Sequence, residues 1–264
     1  MNIFFRELRA NFKSLLIWSG IVILFSIVGF SKFSAFYNNP ELLSVVDAMP
    51  QGMVKAFNMD SFNLTTVTGF YGIMVNYVGL MLSIAAAIWG SDIISKEERD
   101  KTVEYSLTLP VRRSRLISAK LAAALVNCLL LLFVTWAATI ILAQSYAPDG
   151  QFYDFVSTSL WAFFFLQMIF LALGIFLGSA MKQHKRAGSL AVSILLGTYF
   201  ASVLTELSED MSFLKYLTPF KYFDPLLMLR ESRLEVGFAL LSLLITALAL
   251  AGAYFAYSKR DLYI

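Results

Sequence analysis

The chain is 264 residues long, 58% hydrophobic and only 15% charged, with a formal net charge of +3 and a mean hydropathy of +0.69. An ordinary soluble domain carries about 45–50% apolar and about 25% charged residues, so this composition excludes water as the main solvent. One cysteine, Cys128, excludes a disulfide framework or a cysteine zinc cluster within the chain and leaves the redox compartment undetermined.

The first segment, 1–14, sets Phe4, Phe5, Leu8 and Phe12 on one side of a helical wheel and Arg6, Arg9 and Lys13 on another. That is the pattern of an amphipathic helix lying in the membrane interface, basic face toward the headgroups. A signal peptide fits less well, because the apolar run that follows is long for a signal core and no small-residue cleavage site succeeds it. Apolar runs then predict six spans, at 15–31, 67–91, 116–143, 155–181, 190–204 and 237–257, in a helix bundle forming one transmembrane domain over 1–264. Six spans return both termini to one side. The loops of that side collect Arg6, Arg9 and Lys13, then Lys96, Arg99, Lys101, Arg112, Arg113, Arg115 and Lys120, then Lys182, Lys185 and Arg186, and last Lys259 and Arg260. The other side holds Lys32, Lys55, Lys215, Lys221, Arg230 and Arg233 with most of the acids, so the positive-inside rule predicts cytoplasmic termini.

Two outer segments exceed a minimal turn. Residues 33–66 contain Pro40 and Pro50, and 205–236 contain Pro219 and Pro225 amid Phe213, Tyr216, Phe220, Tyr222 and Phe223. Their mixture of aromatic and apolar residues with few charges predicts short helices resting at the outer interface or re-entering the protein.

Between spans two and three lies the most polar stretch, 92–120. Residues 95–108 read as a helix, with Glu97 four residues before Lys101 as a favourable pair and with Val103 and Leu107 as an apolar edge. Pro110 ends that helix and can open the next, where its missing N–H is harmless. The product is a helical hairpin projecting into the cytoplasm. Two plainer readings remain: a solvated loop that fixes topology, or contacts of Arg112, Arg113 and Arg115 with anionic lipid, worth about 1 kcal/mol each.

The chain has no G-x-x-x-x-G-K-[ST] phosphate loop, so it should not hydrolyse ATP. Span interiors offer Asn76, Asn127 and Gln167 but no ionisable residue deep in the hydrocarbon, which disfavours a secondary transporter or proton pump. His184, in the basic loop 182–186, has no second histidine or nearby carboxylate for a metal site or dyad. Cys128 has no basic neighbour and reads as inert packing. Gly174 and Gly178 form a G-x-x-x-G in span four, while Gly69, Gly72, Gly79 and Ala85 to Ala87 give span two a small-residue side, both allowing close helix approach. Phe163 to Phe165 read as facing lipid or a neighbouring helix. Asn76 and Asn127 either hydrogen-bond across helices or line a pathway.

The run Ser95-Lys-Glu-Glu-Arg-Asp-Lys-Thr-Val-Glu-Tyr-Ser-Leu-Thr-Leu-Pro-Val-Arg-Arg-Ser-Arg-Leu, leading into Lys120, resembles the segment after the second span of type-2 ABC exporter permeases. Leu217-Thr-Pro-Phe-Lys-Tyr-Phe-Asp-Pro before the last span and the closing Phe255-Ala-Tyr-Ser-Lys-Arg-Asp-Leu resemble the same family, and the likeness covers nearly the whole chain in order and topology. It implies a transmembrane permease that moves a hydrophobic or amphipathic substrate, with a peptide or toxin preferred, out of the cell by alternating access. ATP and Mg would belong to separate ATP-binding-cassette ATPase subunits, and this chain would carry no cofactor. Glu97, Glu98, Arg99, Thr102, Glu104 and Leu107 would receive the ATPase movement within the coupling segment 92–115, and Pro110, Arg112 and Arg113 would lie at its return. Further implied partners are a second permease copy or paralogue and membrane lipids, with no nucleic acid, in a bacterial cytoplasmic membrane. The alternative is a stand-alone scaffold or a carrier for uncharged solutes with no ATPase partner.

Overall fold

A computed structural model of the chain describes residues 3–37, 39, 48–56, 59, 61–99, 113–181, 184–207 and 209–259. The elements used below are α1 (Ile3–Phe36), α2 (Gln51–Ala56), α3 (Val67–Arg99), α4 (Arg113–Ala143), α5 (Gly150–Ala180), α6 (His184–Leu207), α7 (Pro225–Glu231) and α8 (Val236–Ser258). Six of them, all but α2 and α7, are long and apolar enough to cross a membrane. No strand occurs among the described residues. A helical bundle satisfies its backbone hydrogen bonds within each segment, which is what a lipid solvent demands.

The six helices coincide with the six predicted spans and extend beyond most of their ends. The largest difference is at the start. The expected interfacial helix over 1–14 is not a separate element: α1 runs unbroken for 34 residues, about 51 Å at 1.5 Å per residue, against roughly 30 Å of hydrocarbon. No proline or glycine interrupts Ile3 to Ser19, so nothing breaks the helix between the basic turn and the apolar run. Span two likewise continues as α3 to Arg99, so residues 95–99 prolong it instead of opening a new helix.

The core is a seam between α3 and α5, which pack more extensively than any other pair. Glycine builds it. A Cβ on Gly90 would lie 2.3 Å from the Leu171 carbonyl oxygen, one on Gly174 2.5 Å from that of Ala87, and one on Gly178 2.8 Å from that of Ser91. The backbones therefore touch, the role anticipated for Gly174 and Gly178. Gly69 and Gly72 do something else: their missing Cβ atoms make room for the backbone of Asn63 and the ring of Phe62, a loop folded back on the start of α3. Around the seam stand α1, α4, α6 and α8, whose outward faces expose Leu16, Ile17 and Leu24, Leu129 and Phe133, Phe200, and Leu240, Leu244 and Leu248. Exposed rows of this size on four helices are a lipid-facing surface.

The start of α1 and the end of α8 lie at one end of the bundle, called here the terminal end. Arg113 at the start of α4 donates to the Ser258 carbonyl at 3.2 Å, and Ser118 and Tyr254 share a hydrogen bond of 2.7 Å. At the distal end, Tyr146 donates to the Phe30 carbonyl at 2.9 Å and its ring packs 4.8 Å from Phe33.

Candidate coupling site and pathway

Four of the predicted coupling residues fall at the terminal end. Glu97, Glu98 and Arg99 form the last turn of α3, and Arg113 opens α4. Thr102, Glu104, Leu107, Pro110 and Arg112 lie outside the described residues, and so does most of the expected hairpin. What the structure adds is the base on which that segment stands. Lys120, assigned to a loop from sequence, sits seven residues into α4 with a side chain 1% exposed. Its Nζ lies 3.6 Å from Glu7 Oε1 of α1 and donates to the Ile93 carbonyl of α3 at 2.6 Å. Arg6 Nη2 approaches the same carboxylate oxygen at 3.2 Å. One step further in, Trp89 Nε1 donates to Ser14 Oγ at 2.9 Å, a second polar tie between α3 and α1.

Why these residues fold inward follows from spacing. On α1 the buried positions are Glu7, Asn11, Leu15, Val22, Ser26, Phe30 and Phe33, one stripe at intervals of three, four and seven. Glu7 therefore belongs to the stripe that meets α4, while Arg9 and Lys13 stay outside. On α4 the buried set Leu116, Ile117, Lys120, Ala123, Ala124, Asn127, Cys128 and Leu131 has the same helical spacing. A lysine placed among alanines on a buried face needs an anion and a carbonyl, and both are supplied.

The distal end holds a polar pocket. Asn76 and Tyr77 of α3, Tyr199, Ser202 and Glu206 of α6, and Lys221 and Asp224 of the following segment line it. Lys221 pairs with Glu206, and Asp224 accepts the Leu226 N–H at 2.8 Å as the cap of α7. Depth is fixed by register. Gly252 of α8 faces the Phe176 ring of α5 with a missing Cβ that would lie 3.0 Å away, so the distal tip of α8 is level with about residue 160 of α5. Phe223 stacks on Phe165 at 5.6 Å and Phe220 on Phe170 at 5.4 Å. Phe220 thus reaches about 15 Å below that tip, close to mid-depth. Around Pro219 and Pro225 the segment packs its aromatic rings between the distal parts of α5, α6 and α8. Lys221 and Asp224 thereby lie beside Asn76 and Tyr77 of α3 in the distal half of the bundle.

Asn127 is buried with its Nδ2 unbonded, and Gln167 is fully buried with neither amide atom hydrogen-bonded, among the described residues. Neither lines the pocket that Asn76 lines. Cys128 is a free buried thiol, and Phe163 is buried against α3 while Phe165 holds the segment around Phe223. The missed residues are Glu7, Gln167's unpaired amide, and the Glu206–Lys221 pair. Glu7 alone had a sequence signal, its four-residue spacing to Asn11 and then to Leu15.

Six membrane-length helices around a glycine seam, with charge held at the two ends and lipid-facing apolar rows between, define a polytopic α-helical membrane protein. The chain belongs to the ABC-2 transporter family: residues 1–262 match the family described as ABC-2 family transporter protein. It is a permease subunit of an ABC transporter, a class whose members carry no ATPase motif of their own and associate with an ABC ATPase subunit. No curated protein matches the chain significantly.

Proposed function

We propose that this permease exports a hydrophobic or amphipathic substrate, a peptide or toxin being the preferred case, by alternating access driven by separate ATP-binding-cassette subunits that hold ATP and Mg. The ATPase docks at the terminal end on segment 92–115, with Glu97, Glu98, Arg99, Thr102, Glu104 and Leu107 on the receiving leg and Pro110, Arg112 and Arg113 on the return. Both termini are cytoplasmic, the membrane is the bacterial cytoplasmic membrane, and a second permease copy or paralogue completes the pathway. Asn76 faces that pathway; Asn127, Gly174 and Gly178 hold the helices that frame it.

Family membership over 1–262 carries the reading. Helix length supports the docking side: α3 has 33 residues, about 50 Å, which leaves roughly 20 Å beyond the hydrocarbon. The basic loops at that same end support the orientation. The aromatic, weakly charged interior favours an apolar or amphipathic cargo over a simple ion.

The test is purification of the tagged permease from its native membrane in mild detergent, with and without Glu97→Lys and Glu98→Lys. Stoichiometric recovery of an ATP-binding-cassette subunit that is lost in the double variant is the expected result. Recovery of the permease alone in several detergents would overturn the exporter reading, and retention of the ATPase by the double variant would overturn the docking role of the two glutamates.

A further inference from the structure

The buried ion pair at the terminal end joins three helices at one point. Glu7 belongs to α1, Lys120 to α4, and the carbonyl that Lys120 reaches, Ile93, to α3. Ile93 lies six residues before the last residue of α3, and Lys120 seven residues after the first of α4. The pin therefore sits at the root of both legs of segment 92–115. Glu7 is 4% exposed and Lys120 1%.

Stability does not account for such a pair. A buried ion pair gains little over well-packed apolar residues of the same volume, because desolvation of both charges offsets their attraction. An apolar pair would serve a static bundle equally well, and α3 and α5 are already joined elsewhere by backbone contact. What charge supplies is a single geometry: a buried cation that leaves its carboxylate and carbonyl loses their compensation for its desolvation, whereas apolar side chains slide.

We propose that Glu7 and Lys120 are positioning residues that lock α1 to both roots of the coupling segment, so that a displacement of that segment moves α1, α3 and α4 together and is not absorbed by bending of α4 alone. The transport consequence rests on the ATPase-driven reading above; the locking itself does not. Ser14 with Trp89 extends the lock one step inward along the same pair of helices.

The experiment has two arms. In the first, the permease with its co-purified ATPase subunit is reconstituted in liposomes, and ATP hydrolysis and movement of a fluorescent amphipathic peptide are measured for wild type, Glu7→Leu/Lys120→Met and Lys120→Arg. The apolar double variant keeps its melting temperature and its ATP hydrolysis but loses transport at least tenfold, while Lys120→Arg, which keeps a cation and donors, retains most of it. Wild-type transport in the double variant, or equal failure of both variants, overturns the transmission role. The second arm needs no ATPase. Spin labels at Arg9→Cys on α1 and Ser114→Cys on α4, both exposed positions, are placed in a Cys128→Ala background and their separation is measured. One narrow distance in the parent that broadens or splits in the apolar double variant is expected; an unchanged narrow distance overturns the lock. Absence of any ATPase partner alongside a broadened distance would sink the exporter reading and leave the lock standing.

Discussion

The two ends of the bundle are joined by different chemistry. At the terminal end the ties among the described residues are polar: a buried lysine between a glutamate and a carbonyl, a tryptophan N–H on a serine, a serine on a tyrosine, an arginine on the last turn of α8. At the distal end they are aromatic and many. Phe33, Tyr37, Phe70 and Tyr146 cluster there, and Phe220, Tyr222 and Phe223 stack on Phe170, Phe238 and Phe165. Each aromatic pair adds about 0.5–1.5 kcal/mol and tolerates small shifts. The ion pair is all or nothing. A permease that receives movement at one end and opens at the other would need this division, a stiff receiver and an adhesive, yielding cap.

The contrast can be broken at either end, and substitution should rank the contributions. Lys120→Ala removes the buried cation between Glu7 and the Ile93 carbonyl and leaves the Glu7 carboxylate with the partly exposed Arg6; it should lower stability by about 3 kcal/mol, read as an early thermal transition in mild detergent. Phe220→Ala should cost less, about 2 kcal/mol. Next to lipid the hydrophobic transfer term largely disappears, and what remains is the cavity left beside Phe170 and Tyr199. The seam between the ends should respond at about 1–2 kcal/mol to Gly174→Ala, whose methyl meets the Ala87 backbone. Gly197→Ala, with open space at its missing Cβ, should stay within about 0.5 kcal/mol of the parent or gain slightly. One substitution should act with the opposite sign. Gln167→Leu removes a buried amide with no hydrogen bond and should raise stability by about 1 kcal/mol.

The spans were legible because lipid imposes a length. A run of about 20 apolar residues has one economical structure, and all six runs adopted it. Their true ends were less legible, since Arg6, Glu7 and Lys96 to Arg99 are good helix formers whose polarity says nothing about where a helix stops. Gly174 and Gly178 announced their role through local spacing. Lys120 could not, because hydropathy marks an isolated lysine near a span end as loop, and its partner Glu7 lies more than a hundred residues earlier in the chain. The packing of Phe220 and Phe223 on α5 was not legible, because these ring contacts depend on register between helices that no local pattern encodes.

Glycine at the α3–α5 seam has a mechanical result. Because Gly90, Gly174 and Gly178 let main chain rest on main chain, small rotations between these two helices at that level would drive carbonyl oxygens into backbone atoms, while nearer the distal end Tyr71 packs between Phe152 and Phe155. The two helices form one beam. A displacement that reaches α3 would be handed on to α5 through main-chain contact, so the two central helices would shift as a single body together with whatever is pinned to α3.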